Sequence, residues 1–393
     1  MKENETCEVL ALGTTVDRKH RKLWKKLEKD IFRDDPHHIP SGSPPKGKKG
    51  GDIEFFFLYC EGKPVGRAST VVGEGWLSDD EKRKDVGFID ALLVHPDYKH
   101  VAGRLVERCV SSLKARKAVG VIARSRGFCA LAAQDFDDVA PGHLPSNPAW
   151  HVDVFEQQGF VRHKEWANFR LTLPPEASQL EVAKWDALVT SRGMKVKRLT
   201  GRSRKEVKKY ADVAYEVLSE HYGYTPTRFM DSYSLVRLVI FVFMTRLARF
   251  KIYGLYDEAG ELKGFVSYHP DYNIAQNTVA KYYKKKWYDL TTLKIIPEFF
   301  WAIRHCRRAT VGSIGLREDV RRKGLARSMD WGIKLVLQDG YKQIDTGPVL
   351  TDNAVVVKIA ENLGRRYGMS VERMRYYTMK YEFKPDTKTD IVQ

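Results

Sequence analysis

Six consecutive residues, Arg321-Arg322-Lys323-Gly324-Leu325-Ala326, have the composition and placement of an anion cradle. They lie between an apolar strand pattern, Thr310 to Leu316, and a run with helical spacing, Leu325 to Gln338. A short turn at a helix N-terminus leaves several backbone N–H groups without partners, aimed at one place, and the helix dipole adds positive potential there. Gly324 lets the backbone approach phosphate oxygens closely, and Ala326 keeps the next turn small. Arg321, Arg322 and Lys323 add charge around the same anion. The competing reading is a plain helix start with solvated basic residues. Placement directly after an apolar strand favours a pyrophosphate site.

The elements that must hold this turn are legible along the chain. Glu8–Leu12 reads as a strand, and Val16–Phe32 as a charged helix with Leu23, Leu27 and Ile31 on one face. Residues 36–51 form a loop rich in Pro, Gly, Ser and Lys. EFFFLYC and VGRASTVV form a hairpin around Glu61 to Pro64, and VGFIDALLV is a further strand ending at His95-Pro96. A helix over Val101–Leu113, the strand VGVIAR, a helix over Trp150–Gln158 and a strand over Trp166–Leu173 complete the first half. Pro174-Pro175 marks a boundary, predicting domains of residues 1–175 and 176–393. The order then repeats: MKVKRL, helices over Ser203–His221 and Arg228–Arg249, the hairpin FKIYGLY and KGFVSYH, TVGSIGL, the basic turn, its helix, QIDTGPV, a helix over Asn353–Arg366 and a strand over Arg375–Phe383. The fold class is α+β, with two tandem domains, each a mixed, mostly antiparallel sheet flanked by helices.

The hexapeptide resembles the Arg/Gln-x-x-Gly-x-Gly/Ala loop of the GNAT acyltransferase superfamily. The resemblance implies that Arg321 to Ala326 hold the pyrophosphate of acetyl-CoA or a longer acyl-CoA. It implies that the strand Ser313-Ile314-Gly315-Leu316 pairs its backbone with the pantetheine arm, and that Asn353, at the start of the next helix, contacts that arm. The family often places a tyrosine within that helix as general acid; KIAENLG has none, and Ala360 stands in its place. Tyr376 and Tyr377 follow nearby, and Tyr376 is the candidate carried forward. The first half, with VGFIDALLV and Phe155-Glu156-Gln157-Gln158-Gly159-Phe160, is also similar to a GNAT domain, but His95 to Gly103 lacks the loop spacing. That half is expected to be a scaffold or substrate-gripping domain without a working cofactor site. The pairing resembles a bacterial group of tandem GNAT proteins on His221 to Pro226 and Pro270 to Asn273, some members of which are linked to acylation of sphingoid amines.

Transfer to an amine needs a base to take a proton and donors for an oxyanion. His269 and Asp271 end a hairpin strand where such sheets face substrate and are the catalytic candidates; Asp271 also reads as a helix N-cap. Tyr222, Tyr224 and Asn273 are candidates for the acceptor wall. Lys281 to Tyr288 interleaves lysines with aromatics, suiting an interfacial anchor or a stacking surface. The apolar stretch Leu235 to Met244 suits buried core or a lipid groove. No metal-ligand spacing appears.

The chain has 393 residues and a formal net charge of +17, a field that attracts nucleic acid, an anionic membrane or a polyphosphate. Its five cysteines are dispersed and never form C-x-x-C, which predicts a reducing compartment without a disulfide framework. Lacking a signal-like N-terminus or a 20-residue apolar span, the chain is expected to be cytoplasmic, with peripheral membrane contact. The reading is an acyl-CoA-dependent N-acyltransferase for a small or hydrophobic amine. An aminoacyl- or RNA-linked transferase and a non-catalytic CoA-binding scaffold are the alternatives. An aminoacyl-tRNA donor has no need of the phosphate turn.

Overall fold

In the computed structural model the described residues are 6–35, 37, 38, 44, 52–73, 85–125, 130–142, 144, 146–174, 186–200, 204–222, 248–282, 296–321 and 328–383. Strands β1 (Cys7–Gly13), β2 (Asp52–Cys60), β3 (Lys63–Val72) and β4 (Val86–Val94) pair antiparallel in chain order, and β5 (Gly120–Ala123) joins β4 in parallel. The apolar run of β2 is explained by burial on both faces. Phe55 and Phe57 pack with Trp24 of helix α1 (Arg18–Ile31), while Phe56 and Leu58 share a core with α2 (Ala102–Ala115). Glu61 (φ 50°) and Gly62 (φ 73°) close the β2–β3 hairpin with two left-handed residues, the conformation that matches strand twist. Asp17 caps α1 by accepting from the His20 amide at 2.7 Å. Helix α3 (Trp150–Gln157) and β7 (Val161–Thr172) follow the short strand β6 (Leu131–Ala132).

The second half repeats this order. It runs β8 (Lys195–Arg198), α4 (Arg204–Tyr222), β9 (Lys251–Tyr256), β10 (Leu262–Pro270), α5 (Tyr272–Tyr282), α6 (Ile296–His305) and β11 (Arg308–Leu316). Then come α7 (Glu318–Arg321), α8 (Ser328–Gln338), β12 (Gln343–Asp345), β13 (Val349–Leu350), α9 (Ala354–Tyr367) and β14 (Ser370–Glu382). β11 and β12 are parallel, as β4 and β5 are. α4 covers one face of β10 and β11 and α8 the other, since Phe265 packs with Val213 and Val217 while Val266 packs with Trp331. The expected helix over Arg228–Arg249 lies mostly outside the described residues.

The two halves share one sheet, in the order β1-β2-β3-β4-β5-β14-β7-β12-β11-β10-β9-β8. Each half lends its last strand to the other. β14 lies between β5 and β7, and β7 lies between β14 and β12. The short strands repeat the exchange: β6 pairs β14 at Ala132↔Tyr376, and β13 pairs β7 at Leu350↔Trp166. Trp166 and Tyr376 face each other in the β7–β14 register, at the centre of this reciprocal arrangement. β7 and β14 thereby have neighbours on both sides, where a sheet ending at Pro174-Pro175 would leave an edge of each open.

One expectation is corrected here. Cys7 and Cys60 are register partners on β1 and β2 and form a disulfide, with Cα atoms 4.1 Å apart. Their sequence separation of 53 hides a proximity that strand pairing creates. Cys109 and Cys306 are free and buried.

Candidate functional site

β11 is the element around which a site is built. On one side it pairs with β10 from Gly264↔Leu316 to Pro270↔Ala309. On the other it meets β12 only at Arg308↔Gln343, Ala309↔Ile344 and Thr310↔Asp345. A bulge follows at Gly312, where one extra β11 residue fits between Ser267↔Ser313 and Tyr268↔Val311. The chain leaving β12 turns away at Gly347 (φ 75°), and a Cβ there would sit 2.8 Å from the Val311 carbonyl oxygen. Residues 311–316 are left with an edge that no described strand pairs. In mid-sheet Gly312 is exposed and Ser313, Ile314 and Gly315 are half-buried. An unpaired row of N–H and C=O groups open to solvent is a template for an extended ligand with amide groups.

The first half has the same wedge, closed differently. β4 and β5 pair from Val86↔Gly120 to Ile89↔Ala123, and the β4 bulge brings Ala91 to φ 55°. At its base the buried Arg124 pairs with Asp90 at 3.1 Å and lies over the Phe88 ring. The chain then enters a 3-10 turn, Pro96–Val101, and the Ala102 amide donates back to Lys99. Amides that would face a phosphate in a cradle are spent inside that turn.

Around the second wedge, a polar row faces α4. Ser267, His269 and Asp271 alternate along and just beyond β10, with Arg308, Thr310 and Ser313 beside them on β11. The Ser267 hydroxyl lies 2.8 Å from that of Ser313 across the bulge. His269 is buried, its ring stacked between Phe250 and Tyr272, with Nδ1 2.7 Å from the Pro270 carbonyl oxygen. A carbonyl only accepts, so in the neutral ring Nδ1 carries the proton and Nε2 the lone pair. Thr310, its register partner, is fully buried and its hydroxyl has no partner among the described residues.

Asp271 faces a guanidinium. Arg308 Nε donates to it at 2.8 Å, and its carboxylate accepts from the amides of Asn273 and Ile274 at the start of α5. Arg308 also reaches Asp345 at 3.3 Å, Asp138 at 2.8 Å and the Val139 carbonyl at 2.8 Å. Arg170 donates to Asp345 at 3.0 Å and touches Asp138 at 3.4 Å. Asn273 holds the carbonyls of Ala140 and Pro141 at 3.0 and 3.3 Å. A loop of the first half is therefore bolted by charge onto the second half's sheet. Burial pushes the Asp271 carboxyl up despite Arg308. At Arg308 burial acts against the charge, yet the carboxylates of Asp271, Asp345 and Asp138 raise it overall. The two shifts differ because Arg308 meets three carboxylates, whereas Asp271 meets one guanidinium and is also near Asp345.

The remaining sequence candidates are placed as follows. Gly315 lies where α4 approaches β11 closely: a Cβ would stand 2.4 Å from Val217. Leu316 is core, and Ile314 packs against that core. Arg321 ends α7, while Arg322, Lys323, Gly324, Leu325 and Ala326 lie outside the described residues. Asn353 precedes α9, its carbonyl accepting from Val357. Ala360 packs on Ala167 and Phe169. Tyr376 is fully buried with Trp166 and Met374, burial pushes its phenol far up, and its hydroxyl has no partner among the described residues. It belongs to the central β7–β14 seam. Tyr222 ends α4; Tyr224 and most of Lys281 to Tyr288 lie outside the described residues, as does Leu235 to Met244. Among the described residues no cluster of potential metal ligands occurs, and no helix is long and apolar enough to cross a membrane.

This wedge-split sheet, built twice with exchanged last strands, is the GNAT fold in tandem. No family sequence model and no curated protein matches the sequence. Among solved structures, a glucosamine N-acetyltransferase region in a fungal multi-domain GH3 β-N-acetylglucosaminidase, described as GCN5-related, aligns with 96% of this chain at 12% identity and a TM-score of 0.54. This chain spans only 38% of that fungal protein. A tandem GNAT protein from the clavulanic acid biosynthesis pathway aligns with 97% of this chain and 99% of its own, at 13% identity and a TM-score of 0.49. A GCN5-related N-acetyltransferase from Sphaerobacter thermophilus covers 96% of both chains at 13% identity and a TM-score of 0.48.

Proposed function

We propose that the protein is an acyl-CoA-dependent N-acyltransferase whose working site is the β11 wedge of the second half. The observation that carries this reading is the unpaired edge of residues 311–316, exposed at Gly312 and followed in the sequence by the basic, glycine-containing run Arg321 to Ala326. The edge fits an acyl-CoA arm: Ser313 to Leu316 offer backbone donors and acceptors, and Arg321 to Ala326 offer charge and amides to its pyrophosphate. Bound there, the thioester supplies an activated acyl group. The chain's own residues orient it, exclude water and take the acceptor's proton. His269 is the base, because Pro270 fixes the tautomer that leaves Nε2 unprotonated. Asp271 acts through position, capping α5 and anchoring Arg308. The first half serves as scaffold, its wedge held by the Asp90–Arg124 pair.

The acceptor is an amine, and a hydrophobic one presented at an anionic surface fits best. Trp301 on α6 is 54% exposed, with Arg304, His305 and Arg307 exposed on the same helix and just after it. An aromatic beside cations suits headgroup depth. One observation favours a polyanion such as tRNA instead. On α1 the cations Arg18, Lys19, Arg21, Lys22, Lys25, Lys26 and Lys29 fall within about 160° of arc, at roughly 100° per residue. Calorimetry with CoA and acetyl-CoA tests the central claim: the native chain binds both and Gly324→Asp binds neither. Unchanged affinity in that variant removes it.

A further inference from the structure

A loop of the first half lies directly over the polar row of β10 and β11. Arg308 holds its Val139 carbonyl at 2.8 Å, and Asn273 holds the carbonyls of Ala140 and Pro141 at 3.0 and 3.3 Å. The next residue, Gly142, is buried. A Cβ on it would stand 3.6 Å from Asp271 Oδ1, 3.7 Å from Thr310 Oγ1 and 3.9 Å from His269 Cε1. Those are ordinary contact distances, and Gly142 has no left-handed φ. Neither crowding nor backbone conformation therefore requires a glycine here. Its missing side chain leaves room for one small group, walled by three polar side chains. Thr310 is the last β11 residue paired with β12, so it stands where the unpaired edge begins. Its side chain shares a face with that of His269, its register partner on β10. Thr310 is 1% exposed and its hydroxyl has no partner among the described residues, whereas a buried hydroxyl ordinarily has one. Leaving that bond unmade costs stability, which a ligand that completes it would offset.

Resting on the acyl-CoA reading above, we propose that Thr310 and Gly142 form the seat of the acceptor nitrogen, so that the first half supplies one wall of the second half's site. Gly142 leaves the room for an amino group, and Thr310 Oγ1 accepts from one of its N–H groups. When the nitrogen lone pair attacks the thioester carbon, a C–N bond forms and the carbonyl π pair moves onto oxygen. Collapse restores the carbonyl and breaks the C–S bond, whose pair leaves on sulfur. The other N–H proton passes to His269, which returns it to solvent, and the thiolate takes a proton from solvent. Two N–H groups are used, one held and one lost. A secondary amine has a single N–H to divide between Thr310 and His269, so the seat discriminates against it by one hydrogen bond.

The test is acylation of n-octylamine and of N-methyloctylamine from acetyl-CoA by the full chain, with n-octylamine preferred. Thr310→Val keeps the shape and removes the hydroxyl. It should lower kcat/KM for n-octylamine about tenfold and affect N-methyloctylamine less, so that the preference shrinks, with acetyl-CoA affinity unaltered. Its urea midpoint should equal or exceed the native one, because no internal hydrogen bond is lost, and Thr310→Ser should recover the preference. Gly142→Ala puts a methyl in the nitrogen's place and should lower kcat/KM at least as far, with native acetyl-CoA affinity and midpoint. A native preference in Thr310→Val, or a lowered midpoint with unchanged acylation, would make Thr310 a structural residue and overturn the seat. Native acylation by Gly142→Ala would overturn it too. A native chain that binds acetyl-CoA and acylates neither amine would overturn the seat and leave the donor reading standing. No binding of acetyl-CoA to the native chain would refute the donor reading, and the seat with it.

Discussion

Replacing Arg308 with methionine isolates the charge that joins the two halves. Arg308 is 2% exposed and donates to Asp271, Asp138 and the Val139 carbonyl, each at 2.8 Å. Asp271 and Asp345 are fully buried. Methionine fills much of the volume, so the loss is mainly electrostatic: Asp271 loses its guanidinium, and Asp345 keeps Arg170 and the Asn168 amide. Removing one partner of such a buried pair costs about 3–5 kcal/mol. The burial that already raises Asp271 then acts without the opposing charge. A carboxyl whose folded pKa lies above its unfolded value binds more protons when folded, so its destabilisation grows as pH rises and eases as pH falls. Urea unfolding followed by tryptophan fluorescence should therefore show a large deficit near pH 7.5 that shrinks near pH 5.5. Adding Asp271→Asn should recover part of the deficit at the higher pH, the signature of coupled neighbours. A loss below about 1 kcal/mol, equal at both pH values, would mean that water reaches these carboxylates and that the network is no buried lock.

A fragment of residues 1–175 should fail to fold by circular dichroism, because β14 fills the gap between β5 and β7, and a peptide of residues 368–384 should restore structure in trans; a stable fragment alone would refute the exchange as a stability requirement. Gly347→Val should destabilise by about 2 kcal/mol or more, since a left-handed φ and a Cβ 2.8 Å from the Val311 oxygen are both imposed; near-native denaturation would show that the wedge base is compliant. Burial lowers His151 to about 3, so the unfolded chain takes up its proton first as pH falls below about 6.5. His151→Phe should spare about 2 kcal/mol of acid destabilisation by pH 5, and parallel stability–pH curves would refute that account. The native chain should float with anionic liposomes at low salt and Trp301→Ser should float less, whereas tight tRNA binding at physiological salt without flotation would favour the α1 reading.

Much of this protein was legible in one dimension because its elements carry strong local signals. The hairpin around Gly62, the strands over 86–94 and 308–316, and the helices over 102–115 and 354–367 follow from period, turn residues and caps. The basic, glycine-containing run after TVGSIGL carries the expectation of a cofactor site in the second half, and most of that run lies outside the described residues. What depended on pairing distant segments was not legible. Cys7 meets Cys60 only through strand register, and Asp271 meets Arg308, Asp345 and Asp138 only when a loop of one half crosses the other's sheet. The exchange of β7 and β14 left no trace in either strand, because a strand flanked by two ladders has the same alternation whichever neighbours supply them. Ser267 and Ser313 are ordinary residues on two strands, brought within 2.8 Å of each other by one extra residue at Gly312. Local sequence determined which segments are helix and which are strand. The tertiary structure decided which edges stay open and which charges are buried together, because both depend on contacts that close only once the sheet is assembled.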